Sequence, residues 1–272
     1  MLGYLAIFAI GVLAAVTGSL IGLGGGFLVV PALLLLSEPL LGFAMPAPIA
    51  VGTSLAMLIF TGLSSTIAYM RQGKIDYRSA WLFTLFSAPS SLIGATMTSM
   101  FEEGMFQFGF GLFMLLMAVL MMMRNRLRPL QVKWSISLTY TDSAGQQHIY
   151  GYNWWSAAIV GLAVGLISGL FGIGGGSLFV PVMVLLYRFP PHIATATSMF
   201  VIVWSAIIGS TTHIYLGEIH WLTAACLIPG ALLGGWLGAQ LAARLSSRVL
   251  LWILRAALLF IALRLIVSGL AA

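Results

Sequence analysis

The chain has 272 residues, of which 61% are hydrophobic and 7% charged, with a mean hydropathy of +1.08. A soluble domain carries about 25% charged residues, so this composition excludes one and points to an integral membrane protein. The net charge of +6 fits nucleic acid by sign, but the cations sit in short loops between apolar segments. That is the positive-inside pattern of membrane proteins, and nucleic acid is set aside as a partner.

Eight apolar segments follow one another, roughly 2–36, 46–70, 79–100, 104–123, 154–187, 190–214, 221–243 and 247–270. Each is near or above the ~20 residues a span needs. The opening Met1-Leu2-Gly3-Tyr4 has no basic stretch and no small-residue cleavage site, so it reads as a membrane segment rather than a removed signal peptide. Segments one and five are too long: thirty-odd residues of straight helix would reach ~50 Å, against a ~30 Å hydrocarbon core. Each carries a glycine run near its middle. The first reads Gly22-Leu23-Gly24-Gly25-Gly26-Phe27-Leu28-Val29-Val30-Pro31, the second Gly172-Ile173-Gly174-Gly175-Gly176-Ser177-Leu178-Phe179-Val180-Pro181, 150 residues later. Such runs break a helix and leave N–H groups without intrahelical partners, so each segment is expected to be a broken helix or a re-entrant hairpin.

The correspondence continues past the glycines. Pro48 to Leu55, containing Thr53-Ser54, matches His192 to Met199, containing Thr197-Ser198, at an offset of 144. Tyr69 matches His213 at the same offset, and Pro89 matches Pro229 at 140. The expected architecture is all-α, with two homologous four-segment repeats at 1–123 and 154–272 and a polar insert at 124–153. Matched loops differ in charge. If all eight segments cross, seven basic residues (Arg71, Lys74, Arg78, Arg124, Arg126, Arg128, Lys133) lie on one face and three (Arg188, Arg244, Arg248) on the other. If the glycine segments return to their own side, the repeats are inverted, all ten share the cytoplasmic face, and both termini lie outside. The second arrangement is the expectation.

Within the insert, Trp134, Ile136, Leu138 and Tyr140 alternate with polar residues. Asp142 to Gly145 supply a turn, and His148 to Tyr150 a returning strand, so a cytoplasmic β-hairpin is expected to pack on the membrane domain or on a second subunit. Gly161, Gly165, Gly169 and again Gly230, Gly234, Gly238 are spaced for close helix packing. Met114, Met117, Met121, Met122 and Met123 read as lipid-facing filler rather than a copper site. Arg255 and Arg264 fall on opposite faces of the last helix and are expected to snorkel to the two interfaces.

Paired helix breaks at matching places in two halves point to a transporter's substrate site. Half-helices beginning near Gly26 and Gly176 aim amides and positive dipole ends into it, which suits an anion. The expected substrate-binding residues are Gly24, Gly25, Gly26, Thr53, Ser54, Gly174, Gly175, Gly176, Ser177, Thr197 and Ser198, with Tyr69 and His213 as candidates for gating or for accepting a proton. No lysine follows either glycine run, so neither is a nucleotide P-loop. One cysteine, Cys226, excludes an internal disulfide and a cysteine metal cluster. No hydrolase or zinc-peptidase signature is present, so no enzyme, metal or cofactor is expected.

The doubled Gly-x-Gly-Gly-Gly-x-Leu-x-Val-Pro, with Ala-Val-Gly-Thr-Ser and Ala-Thr-Ala-Thr-Ser following, resembles the sulfite exporter TauE/SafE family of membrane permeases. The resemblance covers 1–123 and 154–270. It implies a multi-pass inner-membrane protein that moves sulfite, sulfoacetate or related sulfonates, often outward. The reading is a secondary transporter of a small sulfur-containing anion, with the lipid bilayer as surroundings and homo-oligomerisation left open. An anion channel and a non-transporting assembly protein that docks through the hairpin are the alternatives.

Overall fold

A computed structural model describes residues 2–123, 134–141, 147–242 and 248–271. Both long segments are broken at their glycines. The first becomes α1 (Leu2–Ile21) and α2 (Gly26–Leu41), the fifth α6 (Trp154–Phe171) and α7 (Gly176–Leu185). The remaining helices are α3 (Ala47–Arg71), α4 (Tyr77–Thr98), α5 (Glu103–Met123), α8 (Pro191–Tyr215), α9 (Trp221–Leu241) and α10 (Arg248–Ala271). Among the described residues, seven helices are long and apolar enough to span a bilayer: α1, α3, α4, α5, α6, α8 and α9. The described side chains of α10 form a shorter apolar stretch, Leu258–Leu270.

α3 and α8 are the inner helices, with 67% and 78% of their spans buried against 44–50% for the others. α9 and α4 flank them, α1 lies along α9, α6 along α4, and α5 pairs with α10. Small residues set the distance in the α1–α9 and α4–α6 pairs. A Cβ on Gly230 or Gly234 would press on the carbonyls of Phe8 or Val12, and one on Gly165 or Gly169 on those of Ser87 or Ser91. Both glycine stripes are therefore packing seams, as their spacing predicts. Helix starts are capped alike: Asp76 accepts from the Ser79 N–H at 3.3 Å to open α4, and His220 Nδ1 from the Thr223 N–H at 3.3 Å to open α9.

Each glycine-broken segment folds back on itself. Gly3, at the start of α1, abuts the Leu40 carbonyl near the end of α2. Gly151, just before α6, donates its N–H to the Tyr187 carbonyl just after α7, at 3.0 Å. α2 has 16 residues and α7 only 10, which is the drop in sequence offset from 150 to 144.

The expected hairpin is present: β1 (Ile136–Thr141) pairs antiparallel with β2 (Gln147–Tyr152), Ile136 opposite Tyr152 and Tyr140 opposite His148. Its expected turn and the basic stretch 124–133 lie outside the described residues, as do Arg244 and the side chain of Arg255. The hairpin lies beside the shorter α7. Tyr150 and Tyr152 are buried against Phe189, and Tyr152 also meets Phe83 and Tyr187. Tyr150 donates its hydroxyl to Asp76 Oδ2 at 3.2 Å, tying the insert to the α3–α4 turn. Burial, and then the Asp76 carboxylate, push the Tyr150 phenol well above its ordinary range, so it stays a donor.

One sequence expectation is corrected. Met114 and Met117 are buried, at 1% and 3% exposure, and do not face lipid; Met122 does. Phe106, Phe110, Met114, Met117 and Ala118 form the inward stripe of α5, spaced by three and four residues, and Met fills its gaps. A composition-based reading of a uniformly apolar helix does not reveal which face turns inward. Arg264 is exposed, in keeping with a snorkelling side chain.

Changing Gly169 to Leu should lower the unfolding free energy in detergent by about 1–3 kcal/mol or more, because backbone atoms stand where the side chain must go. Gly109→Ala, whose Cβ meets only the Phe171 ring edge at 4.0 Å, should be neutral or slightly stabilising. Thermal melts followed by circular dichroism compare the two.

Candidate functional site

The breaks are built the same way. Gly22, Gly24 and Gly25 in the first, and Gly172, Gly174 and Gly175 in the second, have φ between 67° and 99°. A side chain is strained there, which is why glycine recurs at these positions. The Gly18 carbonyl gathers the N–H groups of Gly22, Leu23 and Gly24 at 2.8, 2.8 and 3.2 Å, and the Ser168 carbonyl those of Gly172 and Ile173 at 2.9 and 3.3 Å. Beyond the turns, Gly25 and Gly175 are the N-cap residues of α2 and α7, and neither start receives a side-chain cap. In α2 the first bonds to the Gly25 carbonyl come from Leu28 and Val29, leaving the N–H groups of Gly26 and Phe27 without an acceptor among the described residues. In α7 the Gly176 N–H turns back to the Gly174 carbonyl at 2.9 Å.

The two breaks meet at the centre of the protein. Gly26 lies against the Gly172 carbonyl, and Gly176 against the Gly22 carbonyl, so closely that neither has room for a methyl group. Leu58 of α3 and Ile202 of α8, matched at the 144 offset, cover Gly24 and Gly174. In this conformation the breaks touch through backbone and apolar side chains rather than across a chamber.

The predicted hydroxyls divide into two roles. Ser54 donates to the Gly172 carbonyl at 2.9 Å, and Ser198 to the Gly22 carbonyl at 2.9 Å. Each serine thus reaches from the inner helix of one half to the break of the other, and both are fully buried. Thr53 and Thr197 point elsewhere. Thr53 Oγ1 accepts from the His220 N–H at 3.0 Å and Thr197 Oγ1 from the Asp76 N–H at 3.1 Å, fastening the caps of α9 and α4. Of the predicted residues, the structure therefore gathers Gly24, Gly25, Gly26, Gly174, Gly175, Gly176, Ser54 and Ser198 in one place. It sets Thr53 and Thr197 at helix starts on opposite sides; the side chain of Ser177 lies outside those described.

Tyr69 and His213 are buried near the ends of α3 and α8. Tyr69 donates to the Ser19 carbonyl at 2.8 Å, whereas His213 Nδ1 lies 2.7 Å from Glu218 Oε2. Sequence reasoning passed over Leu58, Ile202, Asp76, His220 and Glu218. The 144 offset pairs four of them as Leu58 with Ile202 and Asp76 with His220, a signal that was available. It also passed over Ser168, whose hydroxyl is buried one turn before the second break with no partner among the described residues. Of the cations whose side chains are described, Arg71, Lys74, Arg78 and Arg188 lie at helix ends or in connections, and Arg264 lies exposed on α10. Burial pushes the Lys74 ammonium below its ordinary range.

The chain matches the family described as Sulfite exporter TauE/SafE over residues 7–265. It is 41% identical over 270 residues to the "Probable membrane transporter protein YunE" of Bacillus subtilis, covering 98% of this chain and 99% of that one. It is 28% identical over 242 residues to "Probable membrane transporter protein YdhB" of the same organism, covering 88% and 89%. A "Probable membrane transporter protein MJ0441" of Methanocaldococcus jannaschii is 25% identical over 206 residues, covering 75% and 70%. No solved structure matches.

The serine clasps carry a stability prediction. Ser54→Ala and Ser198→Ala should each cost about 1–3 kcal/mol, because each leaves a buried glycine carbonyl short of a donor. Thr211→Ala, whose exposed hydroxyl only returns to its own helix at Ile207, should cost far less in the same detergent melts.

Proposed function

Because the chain belongs to the sulfite exporter TauE/SafE family of multi-pass membrane proteins, we propose that it is a secondary transporter exporting a small sulfur-containing anion. Sulfite, or an organosulfonate of the sulfoacetate kind, is the substrate class. The observation that carries this is the meeting of two uncapped helix starts, at Gly25–Gly26 and Gly175–Gly176, deep in the protein. Helix N-termini offer N–H donors and positive dipole ends, and in a low-dielectric setting a multi-oxygen anion is the ligand that satisfies them. The free hydroxyl of Ser168 is a further donor on the second side. Ser54 and Ser198 complete the set of hydroxyls as the breaks part.

In this reading the described conformation is closed to substrate, and transport requires the breaks to separate. Without a nucleotide site in the sequence, an ion or substrate gradient supplies the work. The repeats are inverted: the folding-back of both glycine segments supports it. So do the Tyr150–Asp76 and Gly151–Tyr187 bonds, which bring the hairpin, the α3–α4 turn and the α7–α8 connection to one face. That face is the cytoplasm by its basic residues.

Flux of sulfite, sulfoacetate, taurine, thiosulfate and a carboxylate control in proteoliposomes tests the function. Saturable flux with counterflow is expected for the sulfur oxyanions, and Ser168→Ala should raise the half-saturation concentration about five- to tenfold, on the order of 1–1.5 kcal/mol of lost hydrogen bonding. Equal flux of every anion without saturation would instead indicate a channel. Topology is tested by single cysteines in a Cys226→Ser background. Arg71→Cys and Tyr215→Cys, at matched ends of α3 and α8, should react with an impermeant thiol reagent from opposite sides of the membrane, and labelling from the same side would refute inversion.

A further inference from the structure

Residues 213–218 close α8 as 69–74 close α3. The Glu218 N–H returns to the His213 carbonyl at 2.8 Å and the Lys74 N–H to the Tyr69 carbonyl at 3.3 Å, with Gly217 and Gly73 at positive φ in both. This turn therefore forms without a histidine or an acid. Only the second copy holds an ionisable pair across it, His213 Nδ1 and Glu218 Oε2 at 2.7 Å, with His213 fully buried and Glu218 17% exposed. At the matched place Tyr69 instead gives its hydroxyl to Ser19.

The pair rests on the machinery of the second break. Gly52 of α3 lies against the Cβ and ring of His213 and the carbonyl of Glu218, where any side chain would clash. Its neighbour Thr53 accepts from His220, and the next residue, Ser54, clasps the Gly172 carbonyl. Three consecutive residues of α3 thus join the α8–α9 turn to the break. The described titratable partner of His213 is Glu218, and His220, further along the turn, is engaged with Thr223 at 2.7 Å and with Phe43. Of the helices packed on α8, α1, α6 and α7 hold no charged residue, and α3 and α4 hold theirs, Arg71 and Arg78, at the ends joined by the α3–α4 turn.

With Nδ1–H donated to the carboxylate, the basic position left on His213 is Nε2, which is buried and has no partner among the described residues. A proton arriving there from water converts a bare lone pair into an N–H that the packed arrangement gives no acceptor. That N–H is satisfied only when the turn lifts from Gly52 and water or an anion oxygen reaches it. We propose that His213 and Glu218 form the proton-linked control point of transport, protonation of His213 freeing the α8–α9 turn from α3 and loosening the Ser54 clasp. This rests on the transporter reading above.

Hydrogen exchange in detergent micelles tests the switch without any substrate. Across the range where histidine titrates, about pH 5 to 8, residues 216–224 should exchange roughly tenfold faster on the acid side, after correction for the intrinsic rate. The matched turn at 72–80 should not respond. His213→Gln should abolish the difference, and Glu218→Gln, at a partly exposed position, should blunt it without disturbing the fold. In proteoliposomes the wild-type anion flux should rise as the bath facing this turn is acidified, and His213→Gln should lose that rise while keeping counterflow. A wild-type turn indifferent to pH, or the same response in His213→Gln, overturns the proposal. A turn that opens as expected in a protein that moves no anion sinks the transport reading and leaves the switch supported.

Discussion

Everything in this fold answers one requirement: a helix interrupted inside an apolar interior exposes backbone polar groups that only protein can satisfy. Water is scarce there, and an unpaired buried amide or carbonyl costs several kcal/mol in lipid-like surroundings. Here the solution is an exchange between halves. Ser54, on α3, serves the carbonyl of Gly172, and Ser198, on α8, serves that of Gly22. Neither break closes its hydrogen bonds from its own half alone, so α3 and α8, packed against one another, lie at the centre.

That arrangement explains the placement of the small residues. Gly26 and Gly176 let the backbones of the two breaks touch, and the seams at Gly165–Gly169 and Gly230–Gly234 bring α6 and α1 against the helices that flank the centre. It also explains an asymmetry. α7 stops six residues short of the length of α2, and Tyr150 and Tyr152 of the hairpin cover the neighbouring Phe189 and Phe83. The insert is thus part of the membrane domain's packing on that face, fastened to Asp76 and to the Tyr187 carbonyl.

Much of this was legible in the residues. The glycine runs in two over-long segments foretold both breaks, and the 144 offset foretold the matched helix ends; the shorter α7 gives that offset its physical reason. Alternation foretold the hairpin, since a period of two has one physical meaning at that length. What escaped was partnership. Thr53 and Ser54 are adjacent in sequence, yet one holds a helix cap and the other a break, since neighbouring residues on a helix point about 100° apart and meet different elements. The inward face of α5 escaped for a related reason: in a helix apolar all round, Met114 and Met122 differ only in what stands opposite them, and that is a property of the packed structure.

The clasp also limits how the protein can open. The groups that would greet an anion, the N–H ends of α2 and α7, lie beside the carbonyls that Ser54 and Ser198 hold. An anion is repelled by a carbonyl oxygen and attracted by an amide, so if the breaks part to admit the proposed substrate, one set must turn away as the other is presented. The serine hydroxyl suits that exchange, because one rotation about its χ1 moves its proton from the glycine carbonyl to an incoming oxygen. A motion that leaves both clasps intact keeps Gly172 and Gly22 where they are, with their oxygens pressed on Gly26 and Gly176. In the transport reading proposed above, opening would begin at α3 or α8, the helices that carry the serines, with the broken segments following.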